Sequence, residues 1–190
     1  MKIKKIWKFI WHEDSFLSWI VNVVLAFILV KFLIYPGLGL ILQTSYPIVA
    51  VVSGSMEHNS LNFNNWWENS KPWYIANGIT KEEFKNFKME NGFNKGDIIF
   101  LKSGKNIIKG DIIVFKRLKN NGNPIIHRVV KIYQENNKIY YQTKGDNNAD
   151  SIAEYGEFGI SQDMIIGKSM FKIPYLGWFK ILATDLIKLF

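Results

Sequence analysis

Two short stretches of this chain carry side chains that could do chemistry together. Ser53-Gly54-Ser55-Met56 offers two hydroxyls in a tight turn, and Ile125-Ile126-His127-Arg128-Val129 sets one imidazole in an apolar run. Gly145-Asp146-Asn147-Asn148 then supplies a carboxylate, with Asp150 and Glu154 close behind. A serine hydroxyl attacks an acyl carbon only when a base removes its proton and hydrogen-bond donors meet the developing oxyanion. Ser55 is the candidate nucleophile and His127 the candidate base, since an imidazole titrates near neutral pH. The Ser53 hydroxyl and the Ser55 amide are the candidate oxyanion donors, and an acid should orient the imidazole. Taken singly, Ser-Gly-Ser is a common turn and a lone histidine in an apolar strand is more often structural. The joint pattern points to serine-protease chemistry.

Composition closes off other chemistries. The chain has no cysteine, which excludes disulfides, a thiol nucleophile and zinc–thiolate sites. Its only histidines are His12, His58 and His127, too few for a multi-histidine cage, so neither a metal nor a cofactor is expected. The net charge is +8, but the lysines are scattered among asparagines and isoleucines and form no arginine-rich stripe. Nucleic acid is therefore not the expected partner, whereas attraction to anionic lipid fits.

The elements that must position these residues begin with an anchor. Residues 16–35 form an apolar run whose one charge is Lys31, and as a helix it would be roughly 30 Å long, about one hydrocarbon core. Trp7, Trp11, Trp19 and Tyr35 suit the headgroup level, and Lys31 can extend its ammonium to the interface. Lys2, Lys4, Lys5 and Lys8 precede the run and no basic residue follows it until Lys71. The positive-inside bias then puts residues 1–15 in the cytoplasm and everything after about residue 36 outside. No small-residue cleavage pattern follows the run, so a retained single span is expected over a cleaved leader.

Beyond the span, Pro36 and two glycines are expected to break the helix. Residues 46–52, β-branched and uninterrupted, read as a buried strand that delivers Ser53 to Met56 at its end. Residues 97–101, 111–116, 125–132 and 138–143 read as further short strands, giving a mostly β fold. Lys95-Gly96-Asp97-Ile98-Ile99 and Lys109-Gly110-Asp111-Ile112-Ile113 resemble two strand starts with one turn chemistry. Residues 61–93, rich in tryptophan and asparagine, read as an insertion whose tryptophans either cover the sheet or rest on the membrane interface. Thr80 and Glu83 there form a capping box that starts a helix near residues 81–90. The expected division is thus a β-rich domain of residues 36–60 and 94–179, the insertion, and an amphipathic C-terminal segment at 180–190, too short to span a bilayer.

The boxes Ser53-Gly54-Ser55-Met56-Glu57, Lys109-Gly110-Asp111-Ile112-Ile113-Val114-Phe115, Ile125-Ile126-His127-Arg128-Val129-Val130 and Thr143-Lys144-Gly145-Asp146-Asn147-Asn148 stand in one order behind one apolar span. In that order they resemble a type I signal peptidase. The bacterial branch carries lysine where this chain has His127, so the likeness is to the archaeal and endoplasmic-reticulum branch. The resemblance extends more weakly to Ile166-Gly167-Lys168 and Pro174-Tyr175-Leu176-Gly177. It implies a signal-peptidase-like β catalytic core at the outer membrane face that removes signal peptides of exported preproteins after small residues, with the bilayer and the translocon as further partners. It also implies Ser55 as nucleophile, Ser53 and the Ser55 amide as oxyanion donors, His127 as general base and a nearby aspartate as the third member. Asp150 is the expected partner, at a shorter spacing than the family's. Asp146 either supports it or takes its place, and Glu154 is the next acid along. Self-cleaving repressor cores and pilin-processing enzymes share a similar β architecture but lean on a lysine base. The non-enzymatic alternative is an anchored β module or inactive subunit.

Overall fold

The structure, a computed structural model, describes residues 2–117 and 123–187. It divides into two compact units at residues 41 and 42. The first unit contains α1 (Lys2–His12) and α2 (Phe16–Leu29), followed by a π turn (Val30–Ile34) and α3 (Tyr35–Leu42). From Phe16 to Leu42 the helical run is continuous over 27 residues, and it is the one helix among the described residues long and apolar enough to cross a bilayer. Pro36 therefore does not end the helix as expected. Proline lacks an N–H and its ring crowds the carbonyl four residues back, and the wider π turn before it relieves both problems.

The second unit is built on β1 (Ile48–Ala50), α4 (Phe63–Ala76), α5 (Lys81–Lys85), β2 (Ile98–Lys102), β3 (Ile112–Phe115), β4 (Ile125–Glu135), β5 (Lys138–Lys144), β6 (Ile160–Ser161), β7 (Ile165–Ile173) and α6 (Trp178–Ile187). The seven strands form one curled sheet in the order β1-β2-β7-β3-β4-β5-β6, antiparallel at every pairing. A mostly β fold is what the sequence leads one to expect, but β7 at its centre is not. The amphipathic segment expected at 180–190 falls largely on α6, with residues 188–190 outside the described residues.

The two Lys-Gly-Asp boxes do share one turn. Gly96 and Gly110 sit at φ 91° and 90°, a backbone region open chiefly to glycine. Each following aspartate accepts a hydrogen bond from the backbone N–H three residues earlier, Asn94 N to Asp97 Oδ2 at 3.0 Å and Ile108 N to Asp111 Oδ2 at 3.1 Å. Both aspartates then meet lysines of β7: Lys168 Nζ lies 2.9 Å from Asp111 and Lys172 Nζ 3.9 Å from Asp97. The turn chemistry that starts β2 and β3 thus also receives the strand that goes between them.

β3 is buried on both faces, which is why its sequence reads as an unbroken apolar run. Ile112 and Val114 join Val51, Met56, Phe93, Ile99 and Leu101 in one core cluster, while Ile113 and Phe115 join Ile125, Val129, Tyr141 and Ile160 in another. A third cluster lies over Val130 and is built from the insertion: Trp66, Trp67, Tyr74, Ile79 and Phe84. Asn62 caps α4 by accepting from Asn65 N, and Phe63, Trp66 and Trp67 then fall on one helical face. Thr80 caps α5, its hydroxyl accepting from Glu83 N at 3.2 Å. Burying a phenylalanine such as Phe84 stabilises by roughly 1.5–3 kcal/mol, so this aromatic cluster supplies much of what holds the insertion on the sheet. The expected helix at 81–90 is shorter, ending at Lys85, and α4 is an element the sequence pattern did not announce.

Candidate active site

Ser55 lies in the turn after β1, whose path is continued by Val51, bonded through its N–H to Asp97 O and through its carbonyl to Gly96 N. Met56, completely buried in the core, pins the turn from below. From the side it is held by the Gly145 to Asn148 loop. Asn147 N donates to Ser55 O at 2.8 Å, Asn147 Nδ2 to Gly54 O at 3.1 Å, and Asp146 N to Met56 Sδ at 3.3 Å. A Cβ on Gly145 would lie 2.7 Å from Ser55 O, so only glycine allows this approach. These contacts fix the backbone of the Ser53–Met56 turn, in which Ser53 is exposed and Ser55 half-buried.

His127 comes from β4, opposite Ile113 of β3, and is buried. Its Nε2 lies 2.8 Å from Ser55 Oγ. Ser53 Oγ is 3.3 Å from Ser55 Oγ, close enough to flank the same reacting atoms. The structure thus brings together Ser53, Ser55 and His127, the three residues that the two boxes propose.

The acid on the other side of the imidazole differs from expectation. His127 Nδ1 hydrogen-bonds Glu157 Oε1. Glu157 is fully buried, and its carboxylate also accepts from Thr143 Oγ1 at 3.0 Å and from Ile152 N at 2.6 Å. A single 3₁₀ turn, Ala153–Tyr155, closed by Gly156 at φ 79°, brings the chain back beneath β4. Asp150 instead accepts from Trp73 Nε1 at 2.8 Å and from Ser151 N at 2.6 Å, both at Oδ1. Its short spacing after the Asn pair keeps it on the outer side of the loop, facing the insertion. Glu154 sits within the 3₁₀ turn, exposed. A clue to Glu157 does exist in the sequence: it is the one acid of that segment set between a glycine and an aromatic, Gly156 and Phe158, as a buried turn residue would be.

Asp146 has a different post. Arg128 grips it with two nitrogens, Nε to Oδ1 at 2.9 Å and Nη2 to Oδ2 at 2.7 Å, and all of these groups are buried. Tyr74 donates to Oδ1 and His58 Nε2 meets Oδ2, each at 3.3 Å. Burial works to raise the Asp146 pKa, but the Arg128 guanidinium and the His58 hydrogen bond outweigh it and hold the carboxyl well below the ordinary range. The remaining Arg128 donors reach the carbonyls of Lys88, Met89 and Gly110. Being next to His127 in β4, Arg128 ties the base strand to the insertion. The His58 ring stacks on Trp66 at 3.8 Å with an interplanar angle of 2°. Lys144, also buried, lies over the Trp73 and Tyr74 rings and donates to Gly145 O; burial pushes it down to about 8, against the pull of Asp146 and Glu157.

A hydroxyl, an imidazole and a carboxylate linked in series, with the imidazole locked in strand and its far nitrogen held by the acid, form the constellation of a serine hydrolase. Residues 82–170 match the family described as Peptidase S24-like, a stretch that includes His127 and Glu157 and begins after Ser55. Beyond that class, a 66-residue stretch of the chain is similar to proteins described as Sec11 catalytic subunits of signal peptidase complexes. It is 39% identical over 66 residues to the sec11 subunit of Schizosaccharomyces pombe, covering 33% of this chain and 35% of that protein. The subunit of Dictyostelium discoideum is 36% identical over 66 residues (33% and 37%), and human SEC11C 35% (33% and 34%). The aligned stretch spans about a third of the length of these relatives.

Proposed function

We propose that this protein is a membrane-anchored serine endopeptidase that removes signal peptides from exported preproteins. The observation that carries the reading is the 2.8 Å contact between Ser55 Oγ and His127 Nε2, with Glu157 on the opposite ring nitrogen. In this mechanism the carboxylate keeps the proton on Nδ1, so that Nε2 presents its lone pair to the serine. His127 takes the Ser55 proton as Oγ adds to the scissile carbonyl, and the Ser53 hydroxyl and the Ser55 N–H stabilise the oxyanion. His127 then protonates the departing amine, and water, activated by the same imidazole, releases the signal peptide from the acyl-enzyme.

Substrate selection follows from the strand before the nucleophile. β1 is an outermost strand of the sheet, paired on one side with β2, and an extended cleavage segment adds along its free side. Alternate residues of that segment then point into the shallow apolar surface beside Ile48 and Val49, which accepts alanine-sized side chains and rejects bulk. The apolar helix of residues 16–42 serves as the anchor, with residues 1–15 cytoplasmic and the β unit outside. Membrane confinement of enzyme and substrate raises their effective concentration, and preproteins leaving the translocon are the natural source of substrate. The test is cleavage of a reconstituted preprotein carrying an Ala-x-Ala site. The parent is expected to cut after the second alanine, while Ser55→Ala and His127→Ala fall to background; full turnover by either variant would remove that residue from the mechanism.

A further inference from the structure

α1 has two unlike sides. At about 100° per residue, Lys5, Lys8 and His12 fall along one side of the helix and Trp7 and Ile10 along the other, with Lys4 and Trp11 side by side at the boundary between them. Trp7 and Trp11 are 60% and 66% exposed, their ring centroids 5.6 Å apart. Large aromatic surface is thus left open beside a row of lysines.

The junction with α2 says where this helix lies. The last carbonyls of a helix have no partner within it. In α1 two of them are met by side chains of α2: Ser18 Oγ donates to Phe9 O at 2.6 Å and Asn22 Nδ2 to Ile10 O at 2.9 Å. Ser18 is completely buried, and both donors lie within the apolar run of α2. Water would satisfy those carbonyls at no cost if α1 ended in bulk solvent. Two polar side chains in an otherwise apolar helix are needed where water is scarce, at the margin of the hydrocarbon.

We propose that α1 is an anionic-lipid-binding helix lying in the headgroup layer, with its tryptophan side towards the acyl chains and its lysine side against lipid phosphates. The inference rests on the anchor reading of residues 16–42. Lysine near an anionic surface contributes about a fivefold preference, so Lys4, Lys5 and Lys8 together give roughly a hundredfold preference for anionic over neutral lipid.

The absence of native cysteine makes single-site spin labelling direct. The full chain is reconstituted in phosphatidylcholine vesicles with or without phosphatidylglycerol, labelled singly at Lys5→Cys, Trp7→Cys, Lys8→Cys, Trp11→Cys and Val23→Cys. Collision with oxygen is compared with collision with a water-soluble nickel chelate. The expected result is oxygen preference at positions 7 and 11, nickel preference at 5 and 8, a contrast that weakens in neutral lipid, and an oxygen preference at 7 and 11 that also weakens in a Lys4→Ala, Lys5→Ala, Lys8→Ala triple variant labelled at those two positions. Nickel access at all four positions, or shielding of 7 and 11 from both reagents by a protein partner, would overturn the proposal, as would a contrast indifferent to lipid charge. Nickel access at position 23 would instead sink the anchor reading, and signal-peptide cleavage measured on the same samples reports separately on the active site.

Discussion

Replacing Glu157 with glutamine tests the charge chain at its least expected link. The carboxylate uses both oxygens: Oε1 accepts from His127 Nδ1 and Thr143 Oγ1, and Oε2 from Ile152 N. A carboxamide has one oxygen. If that oxygen faces Ile152, the new NH2 points at His127 and forces the ring proton to Nε2, where it meets Ser55 Oγ and blocks proton uptake. If it faces His127, the NH2 opposes the Ile152 N–H across a 2.6 Å gap, and leaving that buried donor unmet costs roughly 1–3 kcal/mol. The inactive arrangement is favoured, and even the active one lacks the negative charge that steadies the imidazolium. Glu157→Gln should therefore lower kcat by a factor on the order of 10³–10⁴, or about 4–5.5 kcal/mol of barrier. Asp150→Asn makes the contrast, because Trp73 and Ser151 both donate to one oxygen that asparagine retains. Its kcat should change by no more than about twofold. Single-turnover cleavage of an Ala-x-Ala preprotein, with near-ultraviolet circular dichroism to verify folding, reads both. A large loss in Asp150→Asn together with near-normal turnover in Glu157→Gln would refute the assignment of the acid.

Gly92 sits at φ 62°, where an added Cβ would lie 2.1 Å from Met56 O and 2.8 Å from the His58 ring. Gly92→Ala should destabilise the full chain by roughly 2–4 kcal/mol and depress cleavage through the displaced nucleophile turn; an unchanged denaturation midpoint would count against the close approach. Burial holds Lys144 at about 8, below its ordinary 10.5, so between those pH values the unfolded chain binds the extra proton and stability rises with pH. Lys144→Met should accordingly be about 3 kcal/mol more stable than the parent at pH 7, with the advantage shrinking as pH climbs from 8 to 10.5; a gap independent of pH in chemical denaturation would contradict this.

The local parts of the site were legible in the sequence because they are written in contiguous residues. Ser53 to Met56 and Ile125 to Val129 each form a turn or strand whose chemistry shows in its own box. The Lys-Gly-Asp repeats and the Thr80 cap likewise depend on neighbours three residues apart. Glu157 was not legible in this way, since its contact with His127 spans 30 residues and depends on a 3₁₀ turn closed by Gly156. Asp150 was expected from the resemblance, in spite of its short spacing after the Asn pair, yet the loop turns its carboxylate to Trp73. α4 was hidden by Asn64, Asn65, Asn69 and Pro72, poor helix formers whose cost is offset by the burial of Trp66, Trp67 and Tyr74. The passage of the first helix through Pro36 escaped the sequence rule because the rule assumes α geometry, and a π turn is outside it.

The central place of β7 has a consequence for the life of the molecule. Lying between β2 and β3, the strand at residues 165–173 joins two halves of the sheet that the earlier chain cannot pair by itself. A nascent polypeptide emerging from the ribosome therefore carries Ser55 and His127 before it owns the strand that joins the two halves of the sheet. Under the peptidase reading, the site would take up its geometry only once that late strand has been synthesised and has slotted between β2 and β3.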